Sequence, residues 1–166
     1  MARIFLIGMP GSGKSTLGAR VAGQVGLSFY DLDMLIEAEE RCSIPEIFER
    51  KGEQHFRETE RDLLQSTIKS SDHFLMATGG GTPCFYDNLS RMNDAGFTVF
   101  IDTPITTIVK RLTDTDIVRP KLKHLDVEKT LKETYHIRKP FYVKANFTLT
   151  GEKVNDKGLI QLIKSF

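Results

Sequence analysis

The densest chemical signal in the chain is the run Gly8-Met9-Pro10-Gly11-Ser12-Gly13-Lys14-Ser15, which fits G-x-x-x-x-G-K-[ST] at every fixed position. Glycines are needed in such a run because backbone N–H groups must turn inward around a phosphate, through angles that a side chain would obstruct. A helix starting at the end of the run adds its partial positive charge on the same side. Lys14 supplies a point charge suited to β- and γ-phosphates, and the Ser15 hydroxyl suits a Mg²⁺ ion that keeps most of its waters. The plain alternative is a glycine-rich turn with no ligand. The flanking residues argue against it, because the motif requires a buried strand before the loop and an amphipathic helix after it, and both are legible. ATP with Mg²⁺ is therefore the expected ligand.

The elements that must hold this loop follow from periodicity. Ala2 to Ile7 reads as a fully buried strand, and Ser15 to Val25 as a helix with Leu17, Val21 and Val25 on one face, closed by Gly26. Ser28 to Tyr30 predicts a second strand ending at Asp31, with a helix starting near Asp33. Ser43, Pro45 and Glu46 form a helix start, and a long polar helix follows Gly52 through roughly Ile68. Phe74 to Ala77 predicts a third strand that opens into Thr78-Gly79-Gly80-Gly81. A helix is expected over Tyr86 to Ala95, a fourth strand over Phe97 to Ile101, and a helix from Pro104 through Leu112. Between Thr113 and His124 periodicity fails and polar residues dominate, so this segment is the expected mobile lid. Helical character returns from Val127 to about Val143, with Pro140 bending or ending it. Ala145 to Leu149 and Asp156 to Ile163 complete the pattern as a strand and a helix. Alternating strands and helices predict an α/β fold: one domain over residues 1–166, with a five-stranded parallel sheet and helices on both faces.

Composition bounds the rest. The 166 residues suit a single core, and 40% hydrophobic with 27% charged is ordinary globular composition. Net charge is +1, from 23 basic and 22 acidic residues, so an anion site must be local, and no basic stripe points to nucleic acid. Apolar runs such as Ile4-Phe5-Leu6-Ile7 are too short to span a bilayer, and a signal peptide would need a longer apolar region and a small-residue cleavage site. Cys42 and Cys84 lie far apart and read as reduced packing thiols. A cytoplasmic monomer acting on small molecules is expected.

Several further motifs, in this order, resemble those of the shikimate kinase family of P-loop proteins related in fold to nucleoside-monophosphate kinases. They are Phe29-Tyr30-Asp31-Leu32-Asp33, Gly52-Glu53-Gln54-His55-Phe56-Arg57-Glu58, Thr78-Gly79-Gly80-Gly81, Arg119-Pro120 and Arg138-Lys139-Pro140-Phe141-Tyr142. The resemblance covers nearly the whole chain and implies a three-layer P-loop kinase fold. It also implies ATP- and Mg²⁺-dependent phosphorylation of shikimate to shikimate 3-phosphate, a step toward chorismate and the aromatic amino acids. Carried over residue by residue, it gives Lys14, Asp33 and Arg119 catalytic roles. ATP would lie against Gly11, Ser12, Gly13, Lys14, Ser15, Thr16, Arg111 and Arg119. Shikimate would lie against Asp33, Arg57, Gly79, Gly80 and Arg138, with Phe48 and Phe56 flanking its ring. Ser15 and Asp31 would hold Mg²⁺, Asp31 through water. The residue types suit these parts. The planar fork of arginine makes two parallel bonds to a carboxylate, and an aspartate can take a hydroxyl proton.

Each part also has an ordinary structural alternative. Asp31 or Asp33 can simply cap a helix, Arg57 among Glu53, Glu58 and Glu60 can be a surface ion pair, and the glycines can be a flexible strand exit. The lid departs from the family pattern, in which two leucines usually follow Arg-Pro. Here the run is Arg119-Pro120-Lys121-Leu122, and residues 152–156 lack an arginine often found near the adenine. Gluconate kinase remains as an alternative with a similar substrate, although the Asp31-Leu32-Asp33 and triple-glycine combination favours shikimate. A non-catalytic nucleotide-binding module would be expected to have lost Lys14, Ser15, Asp33 or Arg119, and all four are present.

Overall fold

The computed structural model describes residues 2–114 and 121–165. Five strands, β1 (Arg3–Ile7), β2 (Ser28–Asp31), β3 (Phe74–Ala77), β4 (Phe97–Asp102) and β5 (Phe147–Thr150), form one sheet in the order β2-β3-β1-β4-β5. Every pairing is parallel. Among the described residues seven α-helices connect and flank them: α1 (Lys14–Val25), α2 (Leu32–Glu40), α3 (Ile44–Ser70), α4 (Asn88–Ala95), α5 (Ile105–Asp114), α6 (Lys121–Tyr142) and α7 (Asp156–Ile163). Parallel strands need such crossovers and become buried on both faces by them. Strand β1 shows the result. Its Ile4 and Leu6 join Leu17, Val21 and Leu159 on one side of the sheet, while Phe5 and Ile7 join Ile36, Ile47, Leu64 and Tyr142 on the other. The expected three-layer architecture is the observed one.

The chain leaves β1 toward β2 and β3 on one side and later crosses to β4 on the other. The crevice at the carboxyl end of β1 is therefore a topological switch point, where open α/β sheets bind ligands. The glycine-rich loop occupies it.

The helix start expected at Ser43, Pro45 and Glu46 is observed: α3 begins at Ile44, with the Ser43 N–H donating to Glu46 at 2.9 Å, and the polar helix expected after Gly52 continues from it past a break at Gly52 (φ 82, ψ 171) that a residue bearing a side chain would resist. The Glu40 carboxylate bridges that break. It accepts from Lys51 on one side and from His55 (2.6 Å) and Thr59 (3.1 Å) on the other. Other expected boundaries move, each for a local reason. Helix α4 starts at Asn88 rather than Tyr86, because Tyr86 has φ 51 and a short 3₁₀ turn over Thr82–Cys84 precedes it. Strand β5 starts at Phe147 rather than Ala145. Just before it, the Asn146 N–H donates to the Thr98 hydroxyl and the Thr98 N–H donates to the Asn146 side-chain oxygen. Helical structure also reaches both ends of the aperiodic segment, since α5 includes Thr113 and α6 begins at Lys121. The rest of that segment, with Arg119, lies outside the described residues. Pro140 sits in the last turn of α6, which ends at Tyr142. Cys42 and Cys84 are free, and no helix among the described residues is long and apolar enough to cross a membrane.

Helix α1, which carries the loop, lies close on the sheet because Gly18 faces it. A Cβ added there would stand 2.7 Å from the Phe29 ring and 2.9 Å from Leu75. Gly18→Ala is expected to lower the unfolding free energy by about 1–3 kcal/mol, the usual cost of overpacking. Urea denaturation checks this; an unchanged midpoint would mean that the helix is free to move outward.

Candidate active site

The loop between β1 and α1 closes through Gly8, Gly11 and Gly13, at φ 144, 76 and 95. Lys14, the first residue of α1, turns back over it. Its Nζ donates to the carbonyls of Gly8 (2.9 Å) and Met9 (2.8 Å) and lies 3.4 Å from Ser12 Oγ. Burial lowers the Lys14 pKa to about 8, against the opposing pull of Asp33 and Asp31. The loop is braced from outside. The Thr103 hydroxyl at the end of β4 donates to Ser12 O at 2.8 Å, and Arg111 on α5 donates to Gly11 O at 3.1 Å. A cavity of about 550 Å³ opens above, bounded by the loop, Ser15, Thr16, Arg111, Asp33, Gly80 and Val154. Its size suits a small ligand with a phosphate tail.

The second half of the site is built around three missing side chains. At the end of β3, a Cβ on Gly79 would lie 2.9 Å from Asp33 Oδ1 and 2.9 Å from Glu60 Oε1. On Gly80 it would lie 2.6 Å from Pro10 and 2.9 Å from Arg138 Nη1, and on Gly81 2.7 Å from Arg57 Nη2. The glycines thus let one carboxylate and two guanidinium groups converge beside the phosphate loop. This brings Asp33, Arg57, Gly79, Gly80 and Arg138 together, five residues dispersed over four elements.

Arg57 is not a surface ion pair. It is 8% exposed, donates through Nη1 to Glu60 at 2.8 Å, and lies over the Phe85 ring at 4.0 Å and the Phe56 ring at 4.8 Å. Glu60 is fully buried and also accepts from the Thr82 hydroxyl at 2.6 Å. Such a pair survives burial because each charge has hydrogen-bonded partners. Phe48 stands 4.7 Å from Phe56 at the outer edge. Glu60 was legible as an ion-pair partner of Arg57, three residues on, but the pair is buried rather than on the surface. Phe85 carried no such signal, because its position depends on the 3₁₀ turn.

Asp31 does cap α2, accepting from the N–H groups of Asp33 (3.0 Å) and Met34 (3.2 Å). Asp33, in the first turn of that helix, has its pKa raised to about 6, first by burial and then by Asp31 and Glu60, with Lys14 opposing. Among the described residues no three His, Cys, Asp or Glu side chains gather as a metal site. The Ser15 hydroxyl and Asp31 carboxylate are hard oxygen donors suited to a Mg²⁺ that takes its other ligands from phosphate and water. Cavity-lining residues missed by the sequence reading include Val154 and Arg20, the latter paired with Asp156 at 2.7 Å.

An all-parallel sheet with a glycine-rich phosphate loop at its switch point defines a P-loop kinase fold. The chain belongs to the shikimate kinase family, whose model, "Shikimate kinase", matches residues 10–165. A shikimate kinase from Parabacteroides distasonis is 41% identical over 157 residues, covering 93% of this chain and 90% of that protein. The crystal structure of shikimate kinase from Bacteroides thetaiotaomicron has a TM-score of 0.87 at 31% identity, covering 99% of this chain and 96% of that one. Shikimate kinase from Acinetobacter baumannii, solved in complex with shikimate, has a TM-score of 0.85 at 31% identity over 99% of this chain and 92% of that one.

The raised pKa of Asp33 has a measurable consequence. An unfolded aspartate titrates near ~3.9, so the folded protein binds this proton more tightly. The associated stability is fully present below about pH 4 and is lost as pH rises through about 6. Asp33→Asn is therefore expected to raise the unfolding free energy at pH 7.5 by about 1–3 kcal/mol, and the gain should vanish near pH 4. Urea unfolding at both pH values tests this; a variant less stable at pH 7.5 would mean that Asp33 is held by favourable partners instead.

Proposed function

We propose that the protein transfers the γ-phosphoryl group of Mg²⁺-ATP to the 3-hydroxyl of shikimate, giving shikimate 3-phosphate and ADP on the route to chorismate. The observation that carries this reading is the convergence of Asp33, Arg57 and Arg138 on the three glycines beside Lys14. Shikimate has a carboxylate at one end of a small ring and hydroxyls at the other, and this pocket offers two arginines and an acid beside the same glycine turn. The Acinetobacter baumannii relative, solved with shikimate, supports the assignment of substrate.

In this reading the loop N–H groups and Lys14 hold the β- and γ-phosphates, while Ser15 and Asp31 hold the metal, Asp31 through water. When bound, Mg²⁺ neutralises charge on the phosphates. Arg57 and Arg138 grip the substrate carboxylate and so aim the ring. Asp33, with its pKa raised to about 6, is ionised near neutral pH yet basic enough to orient the attacking hydroxyl and accept its proton. The new P–O bond forms as the bond to the ADP oxygen breaks. Arg111, above the loop, flanks the nucleotide.

In a coupled ADP-release assay, shikimate is expected to stimulate turnover, whereas gluconate and nucleoside monophosphates are not. An analogue lacking the carboxylate should bind more weakly by about 2–5 kcal/mol, the cost of leaving a buried charge without its partner. Turnover with gluconate and none with shikimate would sink the assignment.

The segment 113–124 completes the reading as a lid that delivers Arg119 to the transferring group and excludes water, the competing nucleophile. Arg119→Ala is expected to lower kcat by about 10²-fold or more while leaving shikimate affinity without nucleotide within about twofold. Hydrogen exchange in the segment should slow when an ATP analogue and shikimate bind together. A near-normal kcat together with unchanged exchange would rule the lid out.

A further inference from the structure

Arg138 reaches the glycine turn from α6, a helix whose placement depends on contacts on either side of that arginine. On one side the fully buried Tyr142 donates its hydroxyl to Gly80 O at 2.6 Å and stacks on Phe100 at 5.0 Å. On the other, three residues before Arg138 and so on the same helix face, Tyr135 donates its hydroxyl to Asp102 Oδ1 at 3.0 Å. Asp102 is the last residue of β4. The next residue, Thr103, holds the phosphate loop through its bond to Ser12 O. One strand end is therefore bonded to both the phosphate loop and the helix that presents Arg138.

We propose that Tyr135 is a positioning residue for substrate binding: its hydrogen bond to Asp102 fixes α6 relative to the phosphate loop and so holds Arg138 where it meets the substrate carboxylate. The inference rests on the assignment of Arg138 to the substrate carboxylate above. Three features support a specific bond here rather than incidental packing. The Tyr135 ring packs, partly buried, against the core cluster that includes Phe100, Ile108 and Tyr142, which restricts where its hydroxyl can point. The Lys139 ammonium lies 5.3 Å from the ring centroid on the following turn, which further restricts the ring. Burial, followed by the bond to Asp102, raises the Tyr135 pKa to about 12, so the hydroxyl stays protonated and donates throughout the working pH range. A side cavity of about 320 Å³ adjoins Asp102 and Tyr135. Loss of the hydroxyl would leave Asp102 accessible to water, so the fold should tolerate it.

The test is steady-state kinetics on the full chain with Tyr135→Phe, Asp102→Asn, Asp102→Ala, the double variant Y135F/D102A, and Arg138→Met as a control. Tyr135→Phe is expected to raise KM for shikimate by about 3- to 10-fold, the range a single lost hydrogen bond allows. KM for ATP and kcat should stay within about twofold, a split that general loosening of the fold would not give. Asp102→Asn keeps an acceptor and should behave like the parent. Asp102→Ala should match Tyr135→Phe, and the double variant should be no worse than either. Unchanged shikimate KM in Tyr135→Phe, or equal shifts in all three parameters, would overturn the proposal while leaving the carboxylate assignment intact if Arg138→Met still raises shikimate KM. If Arg138→Met leaves that KM unchanged, the carboxylate assignment fails and this inference fails with it.

Discussion

The site depends on the absence of side chains at three consecutive positions. Gly79, Gly80 and Gly81 follow a strand that is buried on both faces, and each leaves room for a different charged group: Asp33, Arg138 and Arg57. Any Cβ there would come within 3 Å of one of these groups, so even alanine would push the constellation apart. The same turn is anchored from both sides. The Thr78 hydroxyl donates to Leu6 O on β1, and Tyr142 donates to Gly80 O from α6. Spacing imposed by backbone, rather than by complementary side chains, leaves the turn itself little freedom to change.

The second constraint is electrostatic. Lys14, Arg57 and Arg138 are gathered in one region of a chain whose net charge is only +1, and Asp31, Asp33 and Glu60 are gathered with them. The balance is uneven within the site. Glu60 is committed to Arg57 and Thr82, and Asp31 to the start of α2, whereas Asp33 is left in a buried setting beside two other acids. Its proton affinity rises because burial penalises the charged form and Asp31 and Glu60 repel it, with Lys14 only partly opposing. A carboxyl group in that position costs stability at neutral pH and gains basicity. Lys14 is the counterpart. Burial lowers its proton affinity, and the Gly8 and Met9 carbonyls hold the ammonium over the loop.

Much of this was legible because it follows backbone rules. The strand of Phe74–Ala77 and the helix of Asp156–Ile163 coincide with the expected residues, since a continuous apolar run and a clear helical period leave little alternative. The break at Gly52 was legible as a boundary, although the chain stays helical on both sides of it. Tertiary contacts were less legible. In sequence Arg57 looks like a solvated residue among acids, and only the fold supplies the Phe85 ring and the turn of Thr82 that bury it. Tyr86 carries no local signal for a left-handed backbone, and Asn146 looks like a strand residue until its pairing with Thr98 is seen. Low periodicity in residues 113–124 concealed helical ends, because polarity there weakens the pattern without removing the propensity.

The two arginines beside the glycine turn differ in what supports them, and the difference bears on how the pocket would respond to a ligand. Arg57 is fixed within its own helix by Glu60 and clamped between Phe56 and Phe85, so its position is determined by packed groups on α3 and the adjoining turn. Arg138 sits on α6, the helix that continues directly from the segment containing Arg119. A carboxylate held by both would join a rigid wall to an element continuous with that segment. Closing the segment and gripping the substrate would then be linked events: binding energy from the carboxylate, remote from the reacting hydroxyl, could act on the arrangement around the phosphates. Two arginines mounted on the same helix would bind the carboxylate as well but would carry no such link.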